Sequence, residues 1–190
     1  NEINKMLSVG MLIKKAMKGH VDLLGPATAV ADELMGIPSF DTPDYSELFA
    51  EEKEMIGKLK KVFLMVAGAA IQKFGTELDQ HQQLLMAAAN ILNEIYMAES
   101  TLLRAEKNAK RFGEVAQEGQ IAMAKLYLYN AVEIVTQNGK EGIISFAEGD
   151  EQRMMLMGLK RFTKYSNYPN VIALRNEIAE KLKAANKYCF

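Results

Sequence analysis

An all-α fold, an antiparallel helical bundle with a long helical hairpin, is what this sequence predicts. Three observations predict it. Apolar residues recur at helical spacing over most of the chain, and no segment sustains the period-two alternation of a strand. The prolines, at positions 26, 38, 43 and 169, mark joints between those periodic stretches. The stretches are long and the joints short, which favours antiparallel neighbours.

The first helix is expected over 2–18, with Ile3, Met6, Leu7, Gly10, Met11, Ile13 and Met17 on one broad face and Gly19 as its stop. The chain enters this helix with no cap or turn ahead of it, although the first N–H groups of a helix need partners. The expectation is therefore a piece of a longer protein. Gly25-Pro26 breaks the chain before a second helix over 27–35. Residues 37–45, with Pro38 and Pro43 among potential capping residues, read as a linker between a unit at 1–36 and a bundle at 46–190.

The third helix is expected over 46–74. Glu47, Glu51, Glu52 and Glu54 crowd its start, where the positive end of the helix dipole favours them. Gly75 is the expected stop and Thr76 the expected cap of a fourth helix over 77–112, about 50 Å long at 1.5 Å per residue. Gly113 closes it. A fifth helix is expected over 115–137, with Ile121, Ala124, Leu128, Ala131, Val132 and Val135 inward and Asn138-Gly139 as its C-terminus. A sixth covers 148–165. Tyr168-Pro169-Asn170 interrupts the chain, and the last helix runs over 171–187 with Val171, Leu174, Ile178 and Leu182 on its face.

Residues 62–71 are apolar on every side of the helix, so they are either buried or at an interface. Gly68 and its flanking alanines allow another helix to approach closely. The expected partner is the helix carrying Ala87, Ala88 and Ala89, with Phe63 near Ala88. The competing use is peripheral membrane contact, because Lys58, Lys60 and Lys61 flank the run. Ten apolar residues are about half of what a membrane span needs.

Composition narrows the function classes. Hydrophobic content of 49% and charged content of 25% suit a soluble globular protein with one sizeable core. A net charge of −1 gives no reason to expect a nucleic-acid partner. The single cysteine, Cys189, cannot close an intrachain disulfide, which suits a reducing, cytoplasmic setting.

Motifs that carry chemistry are scarce. There is no phosphate-binding loop and no paired cysteine, and His20 and His81 lack partners at metal-ligand spacing. No metal site is expected. Glu99, in an otherwise apolar stretch with Arg104 five residues on, reads as a polar contact inside the bundle. Tyr127 and Tyr129 read as core or interface groups. No catalytic residue is assigned in this chain.

The opening Asn1-Glu2-Ile3-Asn4-Lys5-Met6-Leu7 resembles the residues that follow the Glu-Gly-Thr motif of acyl-CoA dehydrogenases, and the likeness continues through 10–16. Residues 53–190 resemble the extra C-terminal helical domain of the very-long-chain type. The stretches 98–106 and 185–190 look like its bacterial members.

The resemblance implies a parent enzyme that oxidises fatty acyl-CoA to the 2,3-enoyl-CoA. A glutamate removes the α proton and FAD takes the β hydride. That glutamate would lie three residues before Asn1, so this chain is expected to lack the base, to bind no FAD alone and to be inactive. Only Asn1 and Glu2 map onto flavin-contacting positions. The implied partners are the catalytic domain, a second copy in a homodimer and an electron-transfer flavoprotein. The alternative is a stand-alone helical adaptor with no enzymatic parent.

Overall fold

The computed structural model describes residues 1–36 and 44–190. Among them are seven α-helices and no strand. These are α1 (Glu2–Met17), α2 (Leu24–Met35), α3 (Ala50–Phe74), α4 (Gln82–Phe112), α5 (Glu118–Phe146), α6 (Gly149–Phe162) and α7 (Val171–Ala185). Short 3-10 turns at Gly75–Gln80 and Val115–Gln117 precede α4 and α5. Most of the expected linker falls on 37–43, outside the described residues. Its last two positions are anchored. The Ser46 N–H donates to Asp44 Oδ1 at 2.9 Å, and the Tyr45 hydroxyl donates to Glu54 Oε2 at 2.6 Å.

The centre is an antiparallel set of three long helices, α3, α4 and α5. Cross-links fix the direction of each pair. Between α3 and α4, Lys53 meets Glu106 at 2.9 Å and Lys60 meets Glu99 at 2.6 Å. Between α4 and α5, Asn108 donates to Gln120 at 2.7 Å, Tyr127 to Glu94 at 3.0 Å and Asn90 to Asn138 at 2.9 Å. As one residue number falls the other rises, so each pair runs antiparallel. The pairing of α4 with α5 is the most extensive in the molecule. Around this centre, α1 packs on α4, α2 on α3, α6 on α3 and α5, and α7 on α5.

The run at 62–71 lies in the core. Val62, Phe63, Met65, Val66, Ala67, Gly68, Ala70 and Ile71 are all buried. Burial of each larger side chain contributes about 1.5–3 kcal/mol. No described helix is long and apolar enough to cross a membrane.

The turns follow backbone chemistry. Gly75 ends α3 with φ 51° and Gly113 ends α4 with φ 88°, left-handed values that strain any residue with a side chain. Four expectations need correction. Thr76 does not cap α4, because the 3-10 turn intervenes and His81 stands at the cap position without a side-chain bond. Instead, the His81 ring lies on Phe74, centroids 3.7 Å apart.

Residues 138–139 do not end the fifth helix, which continues to Phe146. The Asn138 amide donates to the Ile134 carbonyl at 2.8 Å, and Gly139 faces Leu159 and Val62, where a Cβ would come within 2.9 Å of a Leu159 methyl. The second helix starts at Leu24, three residues early. Pro26 sits in its first turn, where a missing N–H costs nothing, and the Gly25 N–H is taken by Asp22 at 2.9 Å. Finally, Gly68 does not face the alanines of α4. A Cβ on it would lie 2.5 Å from Ala27 Cβ, so the close approach is between α3 and α2.

Candidate functional site

The head of α1 is where the sequence places its candidate cofactor contacts. Asn1 stands at the N-cap position, its carbonyl accepting from the Lys5 N–H at 3.0 Å, and its side chain makes no capping bond. Glu2 follows in the first turn. Backbone hydrogen bonding at the helix start holds its carboxyl below the usual carboxylate range. Both residues are exposed.

Helix α1 presents two faces. Val9 and Ile13 are buried against the bundle, whereas Ile3, Leu7 and Met11, spaced four residues apart, point away from it. Ile3 is 77% exposed. The broad apolar face read from the sequence is therefore split, and only its inner half finds cover here. Beside it, Gly10, Ile13, Met17, Leu78 and Leu85 line an open groove of about 410 Å³ between α1 and the turn before α4.

Lys5 is the first side chain of α1 to form a hydrogen bond with another helix. Its Nζ donates to Asn90 Oδ1 at 3.1 Å, and Asn90 Nδ2 donates to Asn138 Oδ1 at 2.9 Å. Sequence reasoning missed Asn90. The signal was present, because it is a lone amide between Ala89 and Ile91 in an apolar stretch.

The remaining polar groups support the fold. Glu99 is a bundle contact as expected, but its partner is Lys60 of α3, not Arg104. Tyr127 and Tyr129 are half-buried. Burial, reinforced by the Glu94 carboxylate, pushes the Tyr127 hydroxyl up to about 12. Tyr129 stacks on Tyr165, whose buried hydroxyl has no hydrogen-bond partner. His20 is exposed. Among the described residues, no three His, Cys, Asp or Glu side chains converge as a metal site.

Glu106 is the one buried charged residue among those described, and sequence reasoning missed it. Its Oε1 accepts from Lys110 at 2.6 Å and Lys53 at 2.9 Å. These two ammonium groups hold its carboxyl below the usual range. The folded value therefore lies under the unfolded one. The stabilisation is complete above the unfolded value and is lost as pH falls through the folded one. Glu106→Gln is expected to cost about 1–3 kcal/mol at neutral pH. The gap to the parent should narrow below about pH 4. Urea midpoints at both pH values check this, and a gap that does not depend on pH would refute the ionic account.

These features define an all-helical packing domain. Within it, α1 buries Val9 and Ile13 and leaves Ile3, Leu7 and Met11 exposed. Comparison gives the family. The profile described as "Acyl-CoA dehydrogenase, C-terminal domain" matches residues 58–161, and the chain belongs to that family. It is 32% identical over 188 residues to the "Probable acyl-CoA dehydrogenase" of Bacillus subtilis (strain 168), an alignment covering 99% of this chain and 31% of that protein. The crystal structure of an acyl-CoA dehydrogenase complexed with FAD from Bacillus anthracis superposes with a TM-score of 0.90 at 34% identity. It covers 100% of this chain and 31% of that one. The chain thus spans about a third of the length of these relatives.

Proposed function

We propose that this chain is the C-terminal, non-catalytic part of an FAD-dependent acyl-CoA dehydrogenase that oxidises fatty acyl-CoA to the 2,3-enoyl-CoA. The observation that carries the reading is the end-to-end likeness, at a TM-score of 0.90, to one third of an FAD-bound acyl-CoA dehydrogenase. The flavin would accept the hydride. Removal of the α proton needs a carboxylate held against the thioester and flavin, and the described residues place none in such a setting.

The role of this chain is support. The stripe Ile3, Leu7 and Met11 would dock on the rest of the enzyme, and Asn1 and Glu2 would reach the flavin. On this reading 1–36 ends the catalytic domain and 46–190 is the added bundle of the very-long-chain type. A homodimer and an electron-transfer flavoprotein are the partners it implies. Burial of 62–71 removes the surface on which membrane docking was argued. Family membership weighs against the stand-alone adaptor.

The test compares the full gene product with this chain alone. The full product should carry flavin absorbance and reduce an acceptor dye when given a fatty acyl-CoA, while this chain should be colourless and inactive. One flavin bound per isolated chain would overturn the non-catalytic assignment. A full product lacking both flavin and activity would overturn the enzymatic one.

A further inference from the structure

The hydrogen-bond chain from Lys5 has a fixed direction. An ammonium can only donate, so Asn90 must turn its carbonyl oxygen to Lys5 and its NH₂ to α5. Asn138 must then present its own oxygen to Asn90, and its NH₂ goes to the Ile134 carbonyl. Every donor and acceptor choice along the chain follows from the lysine. Three helices are joined by one set of bonds that has no equivalent flipped arrangement.

Its position on α1 matters. Residues 1–4 are all exposed, and the first buried residue of α1 is Val9. The half-buried Lys5 lies one turn before Val9 and one turn after Glu2. Lys5 forms no ion pair among the described residues, so a neutral amide is its holder. Without that amide, the first hold of α1 on the bundle retreats by a turn, to Val9.

We infer that Asn90 is a positioning residue: through Lys5 it sets where the head of α1, with Asn1 and Glu2, stands relative to α4 and α5. The consequence for flavin rests on the proposed contact of Asn1 and Glu2 with it. On that reading, α4 holds the part of α1 that meets the cofactor.

The experiment uses the full-length protein and three variants, Asn90→Ala, Asn90→Asp and Lys5→Met. Two signals are read, amide hydrogen exchange over residues 2–8 and the visible circular dichroism of bound flavin. Asn90→Ala should speed exchange at the head of α1 about ten- to a hundredfold, the loss of one hydrogen bond to a charged group, and leave α4 protected. Asn90→Asp keeps an acceptor for Lys5 and should restore protection. Lys5→Met keeps the apolar stem and should match the alanine variant, so it serves if Asn90→Ala does not fold.

Unchanged exchange in Asn90→Ala or Lys5→Met overturns the positioning role and leaves α1 held by Val9 and Ile13 alone. Faster exchange with an altered flavin signal supports the inference in full. Faster exchange with an unaltered flavin signal upholds the positioning role and refutes the contact of Asn1 and Glu2 with flavin.

Discussion

Phe162→Ala is expected to remove about 3–5 kcal/mol of folding free energy. Phe162 is the last residue of α6 and only 2% exposed. It shares its inward face with Met155 and Leu159, which lie seven and three residues earlier. The Lys61 ammonium and the Arg161 guanidinium stand 5.6 and 5.9 Å from its ring, so polar groups cap the pocket from outside. Truncation leaves a cavity against α3 and α5, the long helices on which α6 packs. For a chain of this length the loss corresponds to roughly 2–4 °C of melting temperature per kcal/mol. Calorimetry or a urea titration measures it. A loss below about 1 kcal/mol would mean that the site collapses or that α6 contributes little.

The second large effect is at Gly68. A Cβ there would lie 2.5 Å from Ala27 Cβ, a distance real carbon atoms do not adopt, and neither methyl can rotate away. Two effects oppose each other in Gly68→Ala. Better helix propensity favours alanine by about 1 kcal/mol. Overpacking opposes it by about 1–3 kcal/mol, because α2 must move as a unit. The clash should win, and more clearly in Gly68→Leu. The decisive measurement is a double-mutant cycle. Ala27→Gly alone should destabilise α2 by about 1 kcal/mol, yet combined with Gly68→Ala it should recover most of the loss. Strictly additive losses would show that the two helices are not in the contact described.

Much of the architecture was legible because it is local. Gly75 and Gly113 end helices for a reason written in the residue itself, the tolerance of left-handed backbone. The inward faces of α4 and α5 follow from apolar spacing. What failed was tertiary. Asn138-Gly139 carries a strong local stop signal, but Asn90 satisfies the amide and Leu159 and Val62 pack over the glycine, so the helix continues. Gly68 announces a close approach without saying to which helix, and Ala27 is some forty residues away. Lys60 displaced Arg104 as the partner of Glu99 for the same reason. The candidate contacts Asn1 and Glu2 came from a likeness to a motif, while Asn90 could have been found from its isolation among apolar neighbours.

The order in which these helices assemble follows from how α4 and α5 are joined. They are consecutive, antiparallel and linked by only a few residues, so the contacts nearest the turn, such as Asn108 with Gln120, close short loops. Contacts of that kind form fast, and they make this hairpin the expected folding nucleus. By contrast, Lys5 must find Asn90 across 85 residues of chain, a slow encounter whose entropy is recovered only once α4 is in place. The head of α1 is therefore expected to settle after that hairpin, on helices already in place.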